Sequence, residues 1–170
     1  MSDRDGSVAR DGGELDGFHV GHVPAGAGTE VSDFASEWDE VSFATRVWER
    51  QVAEGYRVDL RVHVLRGERL IDLTALHDFL ADYHERDPAG GEWVEFAHPD
   101  GPGLIGVGEA FWLVEPGVAV DVLADPERCD RAGLAATARA ITRVAASAGA
   151  PPSVRRPETG AGGPARPATP

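Results

Sequence analysis

Histidines and carboxylates are the side chains of this chain best suited to acid–base catalysis or metal binding, and their spacing decides which of them meet. His77 and His84 lie about 20° apart around a predicted helix, but a rise of about 1.5 Å per residue separates them by about 10 Å along its axis. One zinc ion binds its ligands at about 2 Å and does not span that distance. His19 and His22 fall in an extended segment, where a spacing of three directs side chains to opposite faces. The histidine spacing therefore predicts no shared metal.

The other candidates for chemistry lack the context that their chemistry requires. Residues 101–106 match the dinucleotide pattern G-x-G-x-x-G, but no helix start follows to meet a phosphate. Asp78, Asp82 and Glu85 share a predicted helix face that is typical of a solvated surface, so nothing predicts the burial that a general acid requires. Cys129 lies among acids that raise a thiol pKa. We therefore expect no catalytic residue, no metal and no cofactor.

Composition excludes several kinds of chemistry outright. All sixteen basic residues are arginine and asparagine is absent, so the chain has no lysine for a Schiff base or a phosphate loop and no N-glycan acceptor. Cys129 is the one cysteine, which rules out an internal disulfide and a cysteine zinc cluster. Abundant Ala, Gly, Arg and Pro are typical of a protein from a GC-rich bacterium.

Charge and hydropathy predict a soluble, cytoplasmic protein. The net charge of −13 argues against general electrostatic binding to nucleic acid or to an anionic membrane. No stretch approaches 18 apolar residues, and the first residues lack the basic start and apolar core of a signal peptide.

The distribution of apolar residues predicts one folded domain between two flexible ends. Residues 1–17 form an acidic, glycine-containing segment, and residues 149–170 form a tail rich in Pro, Ala and Gly. Neither end has enough apolar surface to offset the entropy of ordering it, so both are expected to be disordered. The domain is expected to span residues 18–148.

Periodicity within that domain predicts an α+β fold with a mostly antiparallel sheet and two helices packed against it. Strand patterns occupy residues 18–24, 38–50, 56–65 and 93–97, and helical patterns occupy residues 72–86 and 130–148. The sheet is expected to have about five to seven strands. The expected core comprises Phe43, Val58, Leu60, Val62, Leu76, Leu80, Phe111, Leu113, Val120, Leu134 and Ile141.

A central hairpin is predicted for residues 111–123, with its turn at Pro116 and Gly117. This turn places Leu113 opposite Val120 on one face of the sheet. Trp112 and Asp121 then share the other face.

The order of these features resembles that of small bacterial PsbP-like domains. It consists of a Val-Pro-x-Gly segment at Val23, Pro24 and Gly26, paired strands, a helix, a Gly-x-Gly segment at Gly106 and Gly108, the hairpin and a closing helix. The order is similar also to the uncharacterised domain at the C-terminus of many bacterial anti-sigma and sporulation lipoproteins. The resemblance covers residues 18–146 and implies a helix-covered antiparallel sheet with a binding or regulatory role rather than catalysis.

Two hypotheses for function remain open. The favoured one is a non-catalytic protein-binding or regulatory module, and the alternative is a small enzyme or small-molecule-binding protein with a cavity between helix and sheet, where His63, His77 or His98 titrates. Tryptophan and arginine are enriched at interface hot spots, and an arginine-rich patch suits an acidic protein partner. The expected binding face comprises Arg46, Trp48, Arg57, Arg61, His63, Trp112 and Asp121. A competing interpretation pairs Asp59 and Asp121 with the arginines and packs the two tryptophans in a second small core.

Overall fold

A computed structural model describes residues 10–144, and residues 1–9 and 145–170 lie outside the described part. The disorder predicted for residues 1–9 and 149–170, and the predicted end of the last helix at residue 148, therefore fall outside it. The described residues form two helices, α1 (Leu73–Tyr83) and α2 (Arg131–Arg139). The strands are β1 (Gly13–Leu15), β2 (Phe18–Val20), β3 (Glu30–Trp38), β4 (Val41–Val52), β5 (Gly55–Arg66), β6 (Val94–His98), β7 (Gly101–Ile105), β8 (Glu109–Glu115), β9 (Val118–Ala124) and β10 (Ile141–Arg143).

Every strand pair in the described residues is antiparallel, which confirms the prediction of a mostly antiparallel sheet accompanied by two helices. The larger sheet has seven strands in the order β3-β4-β5-β9-β8-β7-β6. After β5, in the middle of this sheet, the chain passes through α1 to β6 at the far edge. The strands β6 to β9 then follow in order back toward the middle, where β9 pairs with β5. A second sheet, β1-β2-β10, has three strands. Neither described helix is long and apolar enough to cross a membrane.

The larger sheet contributes to a separate hydrophobic cluster on each of its faces. The first face, here the α1 face, includes Phe43, Leu65 and Phe111, which cluster with Leu76 and Leu80 of α1. On the second face, here the α2 face, Leu60, Val62, Trp112 and Val120 cluster with side chains of α2 and of the smaller sheet. Alternate residues of a strand face opposite sides, so the central strands bury both of their faces. The predicted core residues are all buried except Val58, which is half-buried.

The structure corrects three element predictions. The strand β1 falls inside the segment 1–17 that is expected to be disordered, because its backbone pairs with β2. The strand β3 was not predicted, since all its side chains are exposed and leave no alternating pattern. The helix α2 ends at Arg139 rather than near residue 148, because Ile141 leaves the helical path and pairs with Val20 of β2.

The central hairpin forms with the predicted turn but with a different register. Glu115 pairs with Val118 across Pro116 and Gly117, and Gly117 has a φ of 92°, which favours glycine. An irregularity between Leu113 and Glu115 inserts one extra residue into β8. Trp112 therefore lies opposite Val120, and Phe111 lies opposite Asp121. The expectation that Trp112 and Asp121 share a face is wrong, because this bulge moves the side chains of β8 by one position.

The buried imidazole of His98 has a hydrogen bond at each ring nitrogen, and one of these bonds links β6 to α2. Its Nδ1 accepts a hydrogen bond from the Asp100 backbone N–H at 2.9 Å, so the ring proton lies on Nε2, which donates to the Ala138 carbonyl at 2.8 Å. The ring stacks on Trp112 with 4.0 Å between centroids. Burial lowers the pKa of His98, although the Ala138 carbonyl and the Asp100 carboxylate favour its charged form. The folded protein therefore holds this imidazole neutral.

We expect His98 to make the fold less stable as the pH falls. Because the pKa of His98 is lower in the folded than in the unfolded chain, its contribution to stability is present above the ordinary histidine pKa of about 6.5 and is lost below it. One proton changes the free energy of unfolding by at most about 1.4 kcal/mol per pH unit. Urea denaturation between pH 5 and pH 7.5 should show a shallower pH dependence for His98→Gln than for the wild type. The exposed His19→Gln variant is the control, and an equal change in its slope would contradict this role for His98.

Candidate functional site

Two buried carboxyl groups lie on the α1 face of the larger sheet. Asp121 of β9 is fully buried and Glu109 of β8 is 4% exposed. Asp121 is opposite His63 of β5, whose Nδ1 lies 2.8 Å from the Thr45 hydroxyl. These four polar side chains lie on neighbouring strands of the sheet, so the fold places ionisable groups where burial is energetically costly.

The end of α1 positions two further side chains beside these carboxyl groups. The Arg86 N–H donates to the Ala81 carbonyl at 2.8 Å and the Glu85 N–H to the Asp82 carbonyl at 3.1 Å, which is the hydrogen-bond pattern of a Schellman motif. Glu85 occupies the left-handed position of this motif with a φ of 57°, where glycine is usual. Such strain is often found at functional sites. The turn places His84 and Arg86 next to β8 and β9.

The polar groups of His84, Glu109 and Asp121 converge on one point. His84 Nε2 lies 3.3 Å from Asp121 Oδ2 and 3.6 Å from Glu109 Oε2. One ligand atom from each of the three residues lies within 4.8 Å of the other two. Arg86 Nη1 lies 2.8 Å from Glu109 Oε1. We call His84, Glu109 and Asp121 the acid–histidine cluster.

Burial dominates the electrostatics of this cluster. Burial, the neighbouring Asp121 charge and a hydrogen bond between the two carboxyl groups raise the pKa of Glu109 to about 10, which outweighs the effect of Arg86. Burial raises the pKa of Asp121 to about 6. Burial also lowers the pKa of His84, so its imidazole is neutral at pH 7 and keeps a lone pair for a ligand bond. The metal-free cluster therefore holds a proton between two carboxyl groups that compete for charge.

Several polar atoms around the cluster have no hydrogen-bond partner among the described residues. When both carboxyl groups are ionised, the acceptors without a partner are Glu109 Oε2 and Asp121 Oδ1, and the donors without a partner are Arg61 Nε and Arg86 Nη2. His63 Nε2 is also unpaired. Buried polar atoms are nearly always hydrogen-bonded, so a group of unpaired ones is a feature that needs an explanation. Carboxylate oxygens and a neutral imidazole are together suitable ligands for a divalent metal ion.

A cleft lined by Arg61 and Leu123 lies on the same face of the sheet as the cluster, one residue along the strands from Glu109 at Gly108. Its volume is about 370 Å³, and its walls include Leu123, which is the pairing partner of both Arg61 and Glu109. The charge of Arg61 disfavours protonation of both His63 and His84, which places this guanidinium within electrostatic reach of the cluster. The cleft and the acid–histidine cluster are therefore parts of one region of the α1 face.

The seven residues of the expected binding face are divided between the two faces of the sheet. Trp48 and Trp112 are buried on the α2 face in the hydrophobic cluster that contains α2 residues. Arg61, His63 and Asp121 belong to the region of the acid–histidine cluster, where burial and the Arg61 charge lower the pKa of His63 to about 3. These seven residues therefore do not form one exposed patch.

The remaining two residues of that set, both arginines, are engaged in ion pairs. Arg46 Nε and Nη2 lie 2.7 and 2.8 Å from the two carboxylate oxygens of Asp33, and Arg46 Nη1 donates to the Gly12 carbonyl at 2.6 Å. Arg57 is exposed, and its Nε lies 3.7 Å from Asp125. Binding of a partner by any of the seven residues stays a prediction.

The glycines of segment 101–106 have a structural explanation. A Cβ atom on Gly101 would lie 1.9 Å from the Leu113 carbonyl oxygen, and one on Gly103 would lie 2.3 Å from the Phe111 carbonyl oxygen. Residues 101–105 form strand β7, and the glycines of this strand allow close approach to β8. The Cys129 thiol has a pKa raised by burial and by Asp130, in the direction predicted.

Sequence reasoning missed Glu109, Arg86 and the role of His84. It compared His84 with His77, whose half-buried ring lies beside Trp93 and Phe111 and whose Nδ1 is 2.9 Å from Asp78 Oδ1. The signal for the site is the single acid inside the apolar strand β9, Asp121, together with Glu109 at the start of the apolar run of β8. The expectation that no carboxyl is buried is wrong, because side chains on both faces of these strands are covered.

Comparison with known proteins adds no assignment: no protein-family model, no curated protein sequence and no solved structure matches the chain. The resemblance to PsbP-like domains therefore stays a prediction.

Proposed function

We propose that this protein is a ligand-binding domain whose acid–histidine cluster binds a divalent transition-metal ion. The observation that carries the proposal is the convergence of one ligand atom each from His84, Glu109 and Asp121 within 4.8 Å. An acidic cluster on a surface is common without a metal, but here both carboxyl groups are buried, and in the ionised state each has an oxygen that no described donor reaches. Burial of unpaired carboxyl oxygens costs stability, and a bound cation would recover that cost.

The architecture supports a site enclosed between helix and sheet. We take α1 and α2 to pack on opposite faces of the larger sheet, since the Tyr83 ring at the end of α1 stacks on Phe43 of β4 with 4.5 Å between centroids. The residue after Tyr83 is His84, so this packing fixes the imidazole beside β9. Rigid elements therefore hold the three ligand groups, as a metal site requires.

The donor set favours a transition metal over magnesium or calcium. One imidazole and two carboxylates combine nitrogen and oxygen ligands, which suit Zn²⁺ and Mn²⁺, whereas Mg²⁺ and Ca²⁺ prefer oxygen ligands alone. Three protein ligands leave open coordination positions, as in zinc sites that bind water or substrate. Of the two hypotheses drawn from the sequence, the geometry therefore supports the alternative one best, namely small-molecule binding between helix and sheet.

We expect isothermal titration of the EDTA-stripped and dialysed full chain to show saturable binding of one Zn²⁺ or Mn²⁺ ion. Glu109→Gln should weaken the affinity by more than about 100-fold, because even changes to residues behind the ligands of a metal site cost about 10–100-fold. Addition of metal should also raise the melting temperature, since a ligand at 100 times its Kd stabilises the native state by about 2.7 kcal/mol.

The matched control for this titration is Glu115→Gln, which removes an exposed carboxylate from the other end of β8. Its affinity for the metal should equal that of the wild type. If neither Zn²⁺ nor Mn²⁺ binds, or if Glu115→Gln weakens binding as much as Glu109→Gln, the proposed site is wrong.

The hypothesis of an acidic protein partner is a separate proposal with less support. It requires an exposed patch of arginine and tryptophan, and both of its tryptophans lie in the hydrophobic cluster of the α2 face. Arg57 is its most exposed member, so a partner that requires this patch would lose affinity for Arg57→Glu. Unchanged affinity of that variant would contradict it.

A further inference from the structure

Two arginines, Arg61 and Arg86, lie near the acid–histidine cluster. A metal ion bound to the carboxylates would leave the positive charges of these arginines without a negative partner. Arg86 pairs with Glu109 at 2.8 Å, and Arg61 forms no ion pair with any residue between 10 and 144. Each arginine has a buried N–H donor without a hydrogen-bond partner, Nη2 in Arg86 and Nε in Arg61. Donors of this kind are satisfied by an acceptor, and a metal ion provides none.

The balance of formal charge points in the same direction. Metal binding requires both carboxyl groups to be ionised, and the positive charges of Arg61 and Arg86 then offset the two negative charges of Glu109 and Asp121. A divalent ion bound to the two carboxylates adds two positive charges to a largely buried region. Uncompensated charge in a largely buried region costs free energy, so metal binding favours the entry of an anion.

The cleft beside the cluster is able to admit a small anion. Its volume of about 370 Å³ is at the lower end for small-molecule sites, which range over about 300–1,000 Å³. Two carboxylates, Asp59 and Asp125, also line it, but Asp59 lies 3.0 Å from Arg50 and Asp125 lies 3.7 Å from Arg57. Both of these carboxylates therefore already have an arginine partner, whereas Arg61 in the cleft wall forms no ion pair with a described residue.

We propose that the metal site also binds a small carboxylate anion, held by Arg61 and Arg86 beside the divalent ion; this inference rests on the proposed function. A planar guanidinium donates two parallel hydrogen bonds to a carboxylate, and an open metal position accepts a further oxygen. When Glu109 ligates the metal ion, Arg86 loses its present ion-pair partner. The N–H donors of Arg86 then become available to bind the anion. The ligand class is a short carboxylate able to reach both the metal and a guanidinium.

The test is equilibrium dialysis of the full chain against radiolabelled oxalate with and without Mn²⁺. Oxalate chelates Mn²⁺ in solution, so it removes the metal from a protein site that binds the metal alone. If protein, metal and oxalate form a ternary complex, oxalate instead strengthens retention of the metal by the protein. We expect Mn²⁺ to increase oxalate affinity, and oxalate to increase Mn²⁺ affinity, by about tenfold, since coupling between two ligands is reciprocal.

Variants at Arg61 separate this inference from the proposed function. Arg61→Gln should abolish the oxalate effect while raising affinity for Mn²⁺ alone, because it removes a neighbouring positive charge. Arg61→Lys, which keeps the charge without the planar pair of donors, should retain only part of the effect. Arg139→Gln, at the end of α2, should behave as the wild type.

The two failures are distinguishable. A wild-type protein that binds no Mn²⁺ without oxalate contradicts the metal site itself. A protein that binds Mn²⁺ but loses it to oxalate, or an Arg61→Gln variant that keeps the full oxalate effect, contradicts the anion site alone. Circular dichroism of each variant confirms that the comparison is between folded proteins.

Discussion

Replacement of Trp112 by alanine is expected to destabilise the fold by about 3–5 kcal/mol, the range for deletion of a large aromatic side chain from a core. Trp112 has no exposed surface, and its ring stacks on His98 at 4.0 Å and lies 6.3 Å from Phe96. The change leaves a cavity between β8 and β6. Because small domains unfold with about 5–15 kcal/mol in total, this loss is a large fraction of the stability. Urea denaturation followed by circular dichroism measures it.

Trp112→Phe is the matched control for this cavity. The indole Nε1 has no hydrogen-bond partner among the described residues, so phenylalanine loses contact area but no hydrogen bond. We expect it to cost much less than alanine, since hydrophobic replacements of similar volume usually cost under about 1.5 kcal/mol. An unchanged midpoint for Trp112→Ala would show that Trp112 is a surface residue, as the binding-face hypothesis requires.

The parts of the fold that sequence reasoning predicted are those whose burial leaves a periodic pattern. The strand β5 alternates because Leu60, Val62 and Val64 are buried on one face. The helix α1 begins after Asp72, whose side chain accepts a hydrogen bond from the Ala75 N–H, as its N-cap residue type predicts. The strand β3 is exposed along its whole length, so its pairing with β4 leaves no such pattern.

Long-range pairing and a β-bulge explain the other misses. The alanine-rich segment after Asp130 has good helix propensity beyond Arg139, but pairing of Ile141 with Val20 ends the helix earlier. The bulge in β8 adds one residue before the turn and reverses the faces that alternation assigns. Ile141 and Val20 are far apart in sequence, and the bulge lies within a hairpin, but simple alternation of apolar residues reports neither event.

The candidate site was predicted least well, although its residues are visible in the sequence. Asp121 interrupts an apolar strand, which identifies a buried or functional acid but not its partners. Its partners come from the neighbouring strand, as Glu109, and from the turn after α1, as His84 and Arg86. The α1 turn is held beside the sheet by tertiary contacts, such as the packing of Tyr83 on Phe43. Sites assembled in this way require the fold before their chemistry is apparent.

Replacement of Asp121 by asparagine is expected to change stability and metal binding in opposite directions. The carboxylate is fully buried, and its Oδ2 lies 3.3 Å from His84 Nε2. Asparagine keeps nearly the same shape and an acceptor for His84 but carries no charge. Because burial raises the pKa of Asp121 to about 6, its charge is less favourable in the folded than in the unfolded chain, so we expect the metal-free variant to melt at a higher temperature than the metal-free wild type.

The same variant should lose metal binding, because an amide oxygen is a weaker ligand than a carboxylate and the site then has one negative charge fewer. Thermal denaturation in EDTA and calorimetric titration with Zn²⁺ measure the two effects on one preparation. Asp82→Asn, which removes an exposed carboxylate from α1, should change neither quantity. A variant that melts at a lower temperature in EDTA and binds Zn²⁺ as tightly as the wild type would identify Asp121 as a structural hydrogen-bonding residue. Higher stability without metal, together with lost affinity, is the combination expected of a residue kept for binding at the expense of the fold.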